Sequence, residues 1–184
     1  TLGLLPFDIS ARFQSMMQAR PAAWIFTSAT LSVPSSAGDD FSHFASRLGL
    51  QDARSLRIAS PFDYETQAML YLPTGIPEPS SSGYVEAVIE ASVPLLEASG
   101  GGAFLLFTSH RALSQGAALL RARWDGAAEV PILVQGEGPR ERLLRDFREH
   151  GNAVLLGTAS FWEGVDVKGE ALRLVIIEKL PFAS

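Results

Sequence analysis

Two carboxylates three residues apart, Glu163 and Asp166, lie in the most suggestive stretch of the sequence: Leu155-Leu156-Gly157-Thr158-Ala159-Ser160-Phe161-Trp162-Glu163-Gly164-Val165-Asp166-Val167-Lys168-Gly169. An apolar run passes straight into small and hydroxyl residues, then into acids on either side of Gly164. Buried strands that end in such turns are where open α/β sheets gather ligands, because the loops after strand C-termini form the crevice. Glycines there allow close backbone approach or positive φ without a steric cost. Glu163 and Asp166 are the candidate catalytic residues. A carboxylate pair could also serve glycosidic acid–base chemistry, but nothing else in the chain builds a sugar site.

Four predicted junctions share this character: Thr27-Ser28-Ala29-Thr30, Thr108-Ser109-His110-Arg111, Gln135-Gly136-Glu137-Gly138 and Thr158-Ala159-Ser160. Hydroxyls, an amide and free backbone N–H groups at strand ends suit phosphate oxygens, which need donors. Serine and threonine are also ordinary helix N-caps, so Thr108 or Ser109 alone would say little. Three of the junctions fall on the C-terminal edge of one proposed sheet.

The elements that must position these residues follow from periodicity. Asp8 to Arg20 has helical spacing of Ile9, Phe13, Met16 and Met17, ended by Pro21. Trp24-Ile25-Phe26 reads as a short buried strand, and Val33 to Asp40 as a linker rich in Pro, Ser, Gly and Asp. Phe41 to Leu48 is a short helix capped by Gly49. Ser60-Pro61-Phe62-Asp63-Tyr64 is a turn, Ala68 to Leu72 a candidate strand and Thr74 to Gly83 a loop. Beyond them, helices over Tyr84 to Ser99 (with Pro94 expected to kink it), Arg111 to Trp124 and Pro139 to His150 alternate with strands. Those strands are Ala103 to Phe107, Ile132 to Val134, Ala153 to Leu156 and Leu172 to Ile177. Apolar strands alternating with amphipathic helices mean a doubly wound α/β domain with a parallel sheet covered on both faces, over roughly residues 50–184.

Composition sets limits. The chain has 184 residues, is 47% hydrophobic and carries a net charge of −5, so any nucleic-acid binding must use a local patch. Thirteen of its fifteen basic residues are arginine, suited to bidentate phosphate contacts, although genome composition alone would produce the same bias. Without cysteine there is neither a disulfide framework nor a thiolate metal site, which agrees with a cytoplasmic location. No apolar run approaches the ~18–20 residues of a membrane span. The sequence reads as a piece of something longer.

The motifs resemble those of the DinG/XPD group of superfamily 2 DNA helicases, on its bacterial DinG/YoaA-like side. Thr27-Ser28-Ala29-Thr30-Leu31 resembles motif III, Phe104-Leu105-Leu106-Phe107-Thr108-Ser109-His110 motif IV, and Gly157 to Gly169 motif V. Ser60-Pro61-Phe62-Asp63, Gln135-Gly136 and Lys179-Leu180-Pro181-Phe182 sit where the group has similar runs. The resemblance implies an ATP-driven motor of two RecA-like lobes (the P-loop NTPase type), with ATP in the cleft between them and single-stranded DNA across both. Residues 1–32 would be the end of the first lobe and 33–184 the second, truncated before motif VI. Ser28 and Thr30 would couple ATP hydrolysis to strand movement. Glu163, Gly164 and Asp166 would face the nucleotide. Thr108, Ser109 and His110 would lie on the DNA backbone, with Thr158 and Ser160 as donors; Arg111 joins them on charge alone. Movement 5′ to 3′, a role in DNA repair or replication and contacts with proteins of those processes are further implications.

Several parts of such a motor are missing. No Gly-x-x-x-x-Gly-Lys-Ser/Thr phosphate loop occurs, nor an Asp-Glu-x-His run for Mg²⁺. The Gln-x-x-Gly-Arg-x-x-Arg run, whose arginine finger is worth about 10³–10⁵ in rate in related NTPases, is absent too. The group's iron–sulfur cysteines (a 4Fe-4S cluster) belong to the first lobe. ATP and Mg²⁺ therefore concern the complete protein, and the 184 residues alone are expected to be inactive; no metal site is expected in them. The alternative is a non-motor RecA-like module serving as a protein-docking platform.

Other residues have plain explanations. Trp162 could pack or stack on a base. His43 and His150 read as surface residues, and Met16, Met17 and Met69 as core. Arg140, Arg142, Arg145 and Arg148 interleave with Glu141, Asp146 and Glu149, as on a solvated, salt-bridged face.

Overall fold

The structure, a computed structural model, describes residues 8–35, 38–50, 52–124, 129–161, 165, 167 and 169–180. Contacts divide the chain into two compact units, Thr1–Leu70 and Tyr71–Ser184. The expected lobe boundary after residue 32 rests on motif likeness, and the division after Leu70 on packing.

In the first unit, α1 (Ser10–Ala19) lies against α2 (Ser42–Leu48). Gln14 Nε2 donates to Gly49 O at 2.6 Å, and Gly49 closes α2 in the left-handed region at φ 70°, as expected of a C-cap glycine. Phe13, Trp24, Phe26 and Phe44 form an aromatic cluster with ring centroids 5.6–6.5 Å apart. α3 (Tyr64–Gln67) is a single turn that follows the expected Ser60-Pro61 turn.

The second unit holds four parallel strands. They are β3 (Ala103–Leu106), β4 (Ile132–Val134), β5 (Val154–Gly157) and β6 (Leu174–Ile177), in spatial order β4-β5-β3-β6. Successive side chains of a strand face opposite ways. Ala103, Leu105, Val154 and Leu156 accordingly join Ile89, Leu96, Leu113 and Leu120 of α4 (Tyr84–Ser99) and α5 (His110–Arg123). Phe104, Leu106 and Leu155 meet Leu143, Leu144 and Phe147 of α6 (Arg140–His150) on the other face. The sheet is thus covered on both sides, the doubly wound α/β architecture expected. α4 runs unbroken through Pro94, and the three glycines that follow it all take positive φ. At Gly101 a Cβ would fall 1.9 Å from Asn152 O, so that position admits no side chain.

Several expectations fail in the first 72 residues. Trp24-Ile25-Phe26 forms no strand among the described residues, and Ile25 is 85% exposed while its two aromatic neighbours pack. Residues 68–72 likewise form no strand among the described residues, which leaves Met69 88% exposed instead of in a core; Met16 is exposed as well, and Met17 half-buried. Strand propensity describes fitness for a pleated, half-buried surface, and neither segment has such a surface among the described residues. The supposed linker is a hairpin, with β1 (Val33–Ser35) antiparallel to β2 (Gly38–Asp40), and Ser35 Oγ donates to Gly38 O at 2.6 Å.

Candidate nucleic-acid interface

The C-terminal edge of the sheet brings together the ends of all four parallel strands. After β3, Ser109 is extended (φ −146°, ψ 151°) and its Oγ accepts from Ala112 N at 3.2 Å, making it the N-cap of α5. Ser109, His110 and Arg111 are exposed at that helix start. The first N–H groups of a helix have no partner within it, and the helix dipole adds partial positive charge there. The junction therefore presents donors, a hydroxyl and a guanidinium in three consecutive residues.

Thr108 behaves differently. Its backbone N–H and its hydroxyl both donate to Glu178 Oε2, at 3.1 and 3.0 Å. Glu178 follows β6; its N–H donates to Leu106 O at 2.9 Å, and its own carbonyl accepts from Tyr84 Oη at 2.6 Å. Burial, and next to it the negative charge of Glu178, raise the Tyr84 hydroxyl above the usual tyrosine range.

The other half of the sheet repeats the device. Gln135, after β4, accepts on Oε1 from Thr158 N at 2.6 Å and from Thr158 Oγ1 at 3.0 Å. Thr158, only 6% exposed, follows β5. In each case the residue just past an edge strand satisfies both donors of a threonine past an inner strand. The donors of Thr108 and Thr158, expected to point at phosphates, are thus already engaged. Sequence reading missed Gln135 and Glu178 as partners because they lie 23 and 70 positions from their threonines.

The turn after β4 is fastened from two sides. Arg121 grips Glu137 with both terminal nitrogens at 2.8 and 2.9 Å, and Arg142 donates to Glu137 O at 3.2 Å. The Arg121 hydrogen bonds hold the Glu137 carboxyl below its ordinary range. After β5, Phe161 is buried and its N–H donates to Thr158 O at 2.8 Å. A Cβ on Gly157 would come within 2.9 Å of the Phe161 side chain, so this glycine makes room for the ring. Arg140 lies over the Phe161 ring, 5.5 Å from its centroid, and donates through Nε to Ser160 O at 3.1 Å. That differs from the solvated stripe expected of Arg140, whereas Arg145 does pair with Asp146 and Glu149. Ser160 is exposed.

Trp162, Glu163, Gly164 and Asp166 lie outside the described residues, as do Pro181 and Phe182. No group of three or more His, Asp or Glu that could hold a metal ion occurs among the described residues, and no phosphate loop occurs in the sequence.

In the first unit, Ser28 Oγ lies 3.3 Å from Thr30 Oγ1 and accepts from Thr30 N at 3.2 Å, a local turn on the surface. Ser28 also lines a cavity of about 850 Å³ with Trp24, Phe26, Phe44 and Leu56. No described helix is long and apolar enough to cross a membrane.

Comparison with known proteins agrees with this architecture. A sequence model of the helicase C-terminal domain matches residues 92–184. The chain is 45% identical, over its whole length, to 28% of the ATP-dependent DNA helicase YoaA of Escherichia coli. It is 33% identical, over 98% of its length, to 26% of the ATP-dependent helicase DinG of Mycobacterium tuberculosis. Over 90% of its length it is 35% identical to 18% of the 3′-5′ exonuclease DinG of Bacillus subtilis. The chain spans little more than a quarter, at most, of these curated relatives. Family model, relatives and a parallel sheet with helices on both faces together establish that the chain belongs to the helicase C-terminal domain family, in its DinG-type branch.

Proposed function

We propose that the chain is the C-terminal part of an ATP-dependent DNA helicase, moving 5′ to 3′ in DNA repair or replication in the cytoplasm. It supplies single-stranded DNA contacts and one wall of the ATP cleft. The observation that carries the DNA reading is the exposed start of α5, where Ser109, His110 and Arg111 stand at the C-terminal edge of a parallel sheet. Exposed Ser160 lies on the same edge. Thr108 and Thr158 serve that surface as struts, their donors being engaged.

Assignment of residues 1–32 to the first lobe and 33–184 to the second rests on motif likeness. So do the coupling role of Ser28 and Thr30 and the cleft roles of Glu163, Gly164 and Asp166. ATP and Mg²⁺ enter through the relatives' names, which specify ATP dependence. An iron–sulfur cluster in the first lobe and protein partners from replication or repair rest on resemblance alone.

The test is the purified full-length protein with duplexes bearing a 5′ or a 3′ single-stranded tail. DNA-stimulated ATP hydrolysis with unwinding from the 5′ tail supports the reading. Absence of both activities favours the second reading, a non-motor RecA-like docking platform. Nuclease activity without unwinding would align the chain with its Bacillus relative instead.

A further inference from the structure

The Glu178 side chain is 3% exposed, a buried carboxylate that no step of the proposed motor uses. Burying a charge without compensation is costly, and here the compensation is specific. Oε2 takes both donors of Thr108, and Lys179 Nζ stands 4.0 Å from Oε1. The root of the side chain is fixed as well, since the Glu178 N–H bonds Leu106 O and its carbonyl takes the Tyr84 hydroxyl. One residue thereby ties β6, the end of β3 and the first turn of α4 together.

We propose that Glu178 is a positioning residue for the DNA-contacting turn, fixing through Thr108 the junction from which Ser109, His110 and Arg111 project. Moving Thr108 means breaking both of its bonds to Glu178 Oε2 at a part-buried site, where a donor left unpaired is costly. The next residue, Ser109, is the N-cap, and its extended backbone sets the direction of α5. Rotation at Thr108 would therefore swing the exposed donors of the whole first turn.

The second clamp in the same sheet shows which property matters. Gln135 holds Thr158 with the same pair of bonds through a neutral amide oxygen. The shared requirement is an acceptor oxygen at the end of the edge strand; charge is not needed for it. A competing role would make Glu178 a plug, occupying donors that a DNA phosphate takes on binding. The anchored backbone and closed environment of Glu178 argue for the strut. The two roles also predict opposite signs when the acceptor is removed.

The inference rests on the DNA reading above, and the test separates the two. In the full-length protein, affinity for a fluorescent oligo-dT is measured together with the DNA concentration that half-saturates ATP turnover. Glu178→Leu, close in size but without an acceptor, should weaken affinity roughly tenfold, the scale of a buried donor left unpaired. The loss should show in the half-saturating DNA concentration more than in kcat. Glu178→Gln, which restores the acceptor, should bring affinity back to within about threefold of the parent.

Tighter binding by Glu178→Leu would overturn the strut in favour of the plug. A Gln variant as weak as the Leu variant would overturn it in favour of charge. Parent binding with no effect of Glu178→Leu would sink the proposal alone, and a parent without affinity for the oligonucleotide would sink the DNA reading with it. Should Glu178→Leu fail to fold, Thr108→Val probes the same contact from the other side. Weakened binding with a native melt supports the strut there, and unchanged binding overturns it.

Discussion

Gly116, in the middle of α5, rests on the ring of Phe107: a Cβ at Gly116 would come within 2.5 Å of Phe107 Cζ and 2.9 Å of Cε1. The ring is fully buried beneath the helix, with Ile89 of α4 beside it. Glycine in a helix interior ordinarily costs about 1 kcal/mol relative to alanine. Here it is the condition for α5 to lie close to the sheet and bring its N-terminus to the β3 end.

Gly116→Ala should consequently destabilise the second unit despite alanine's better helix propensity. Overpacking a filled core costs typically about 1–3 kcal/mol, which outweighs the propensity gain. Thermal melts of the parent and variant chains decide the matter. A higher Tm for Gly116→Ala would mean the ring yields easily and the close approach is incidental.

Much of the second unit was legible because its elements are amphipathic over several turns. α4 begins and ends at the residues where the apolar pattern does, and β4 likewise. What local pattern cannot supply is a partner. Trp24-Ile25-Phe26 and residues 68–72 have strand-forming side chains but no neighbouring strand among the described residues, while Val33–Ser35, with a proline at its centre, has one in Gly38–Asp40. The same limit applies to the site. Its hydroxyls and cations can be read from the sequence, but the engagement of Thr108 by Glu178 and Thr158 by Gln135 depends on strand order.

The turn after β4 has an acid-sensitive fastening. Its Glu137 carboxyl is held below the ordinary glutamate range by the Arg121 fork. A carboxylate with a lowered folded-state pKa contributes stability fully present above its unfolded pKa and lost as pH falls through the folded value. The contribution should therefore be intact at neutral pH and vanish below the ordinary glutamate range. Both partners are nearly half exposed, so solvent screening limits the pair to about 0.2–1 kcal/mol. Glu137→Gln should lower stability by that amount at pH 7, and the difference should shrink at an acid pH below the lowered folded-state value. An equal effect at both values would show that packing of the turn is responsible, not the charge.

The carboxylates of the Gly157–Gly169 run, assigned to the nucleotide cleft by likeness alone, are tested in the full-length protein. Asp166→Ala should reduce ATP turnover by about tenfold or more, since phosphoryl transfer depends on positioning and charge stabilisation in the cleft. Glu163→Gln should act in the same direction. Circular dichroism and melting temperature should match the parent. Unchanged turnover in both variants would reassign the loop to a structural role.

Arg111 is the residue placed on the DNA track by charge and by position at the start of α5, where it is exposed beside the Ser109 cap. If it meets a phosphate, Arg111→Ala in the full-length protein should weaken single-strand affinity uniformly across sequences. The slope of log affinity against log salt should fall by roughly 0.7, the value per phosphate contact on a single strand. Should Arg111 merely open the helix and point into solvent, the slope would stay as it was. Glu178→Leu gives the complementary reading: it removes no cation, so any loss it causes comes from misplacing the whole turn. An unchanged slope in Arg111→Ala, together with unimpaired unwinding, would remove this arginine from the DNA track.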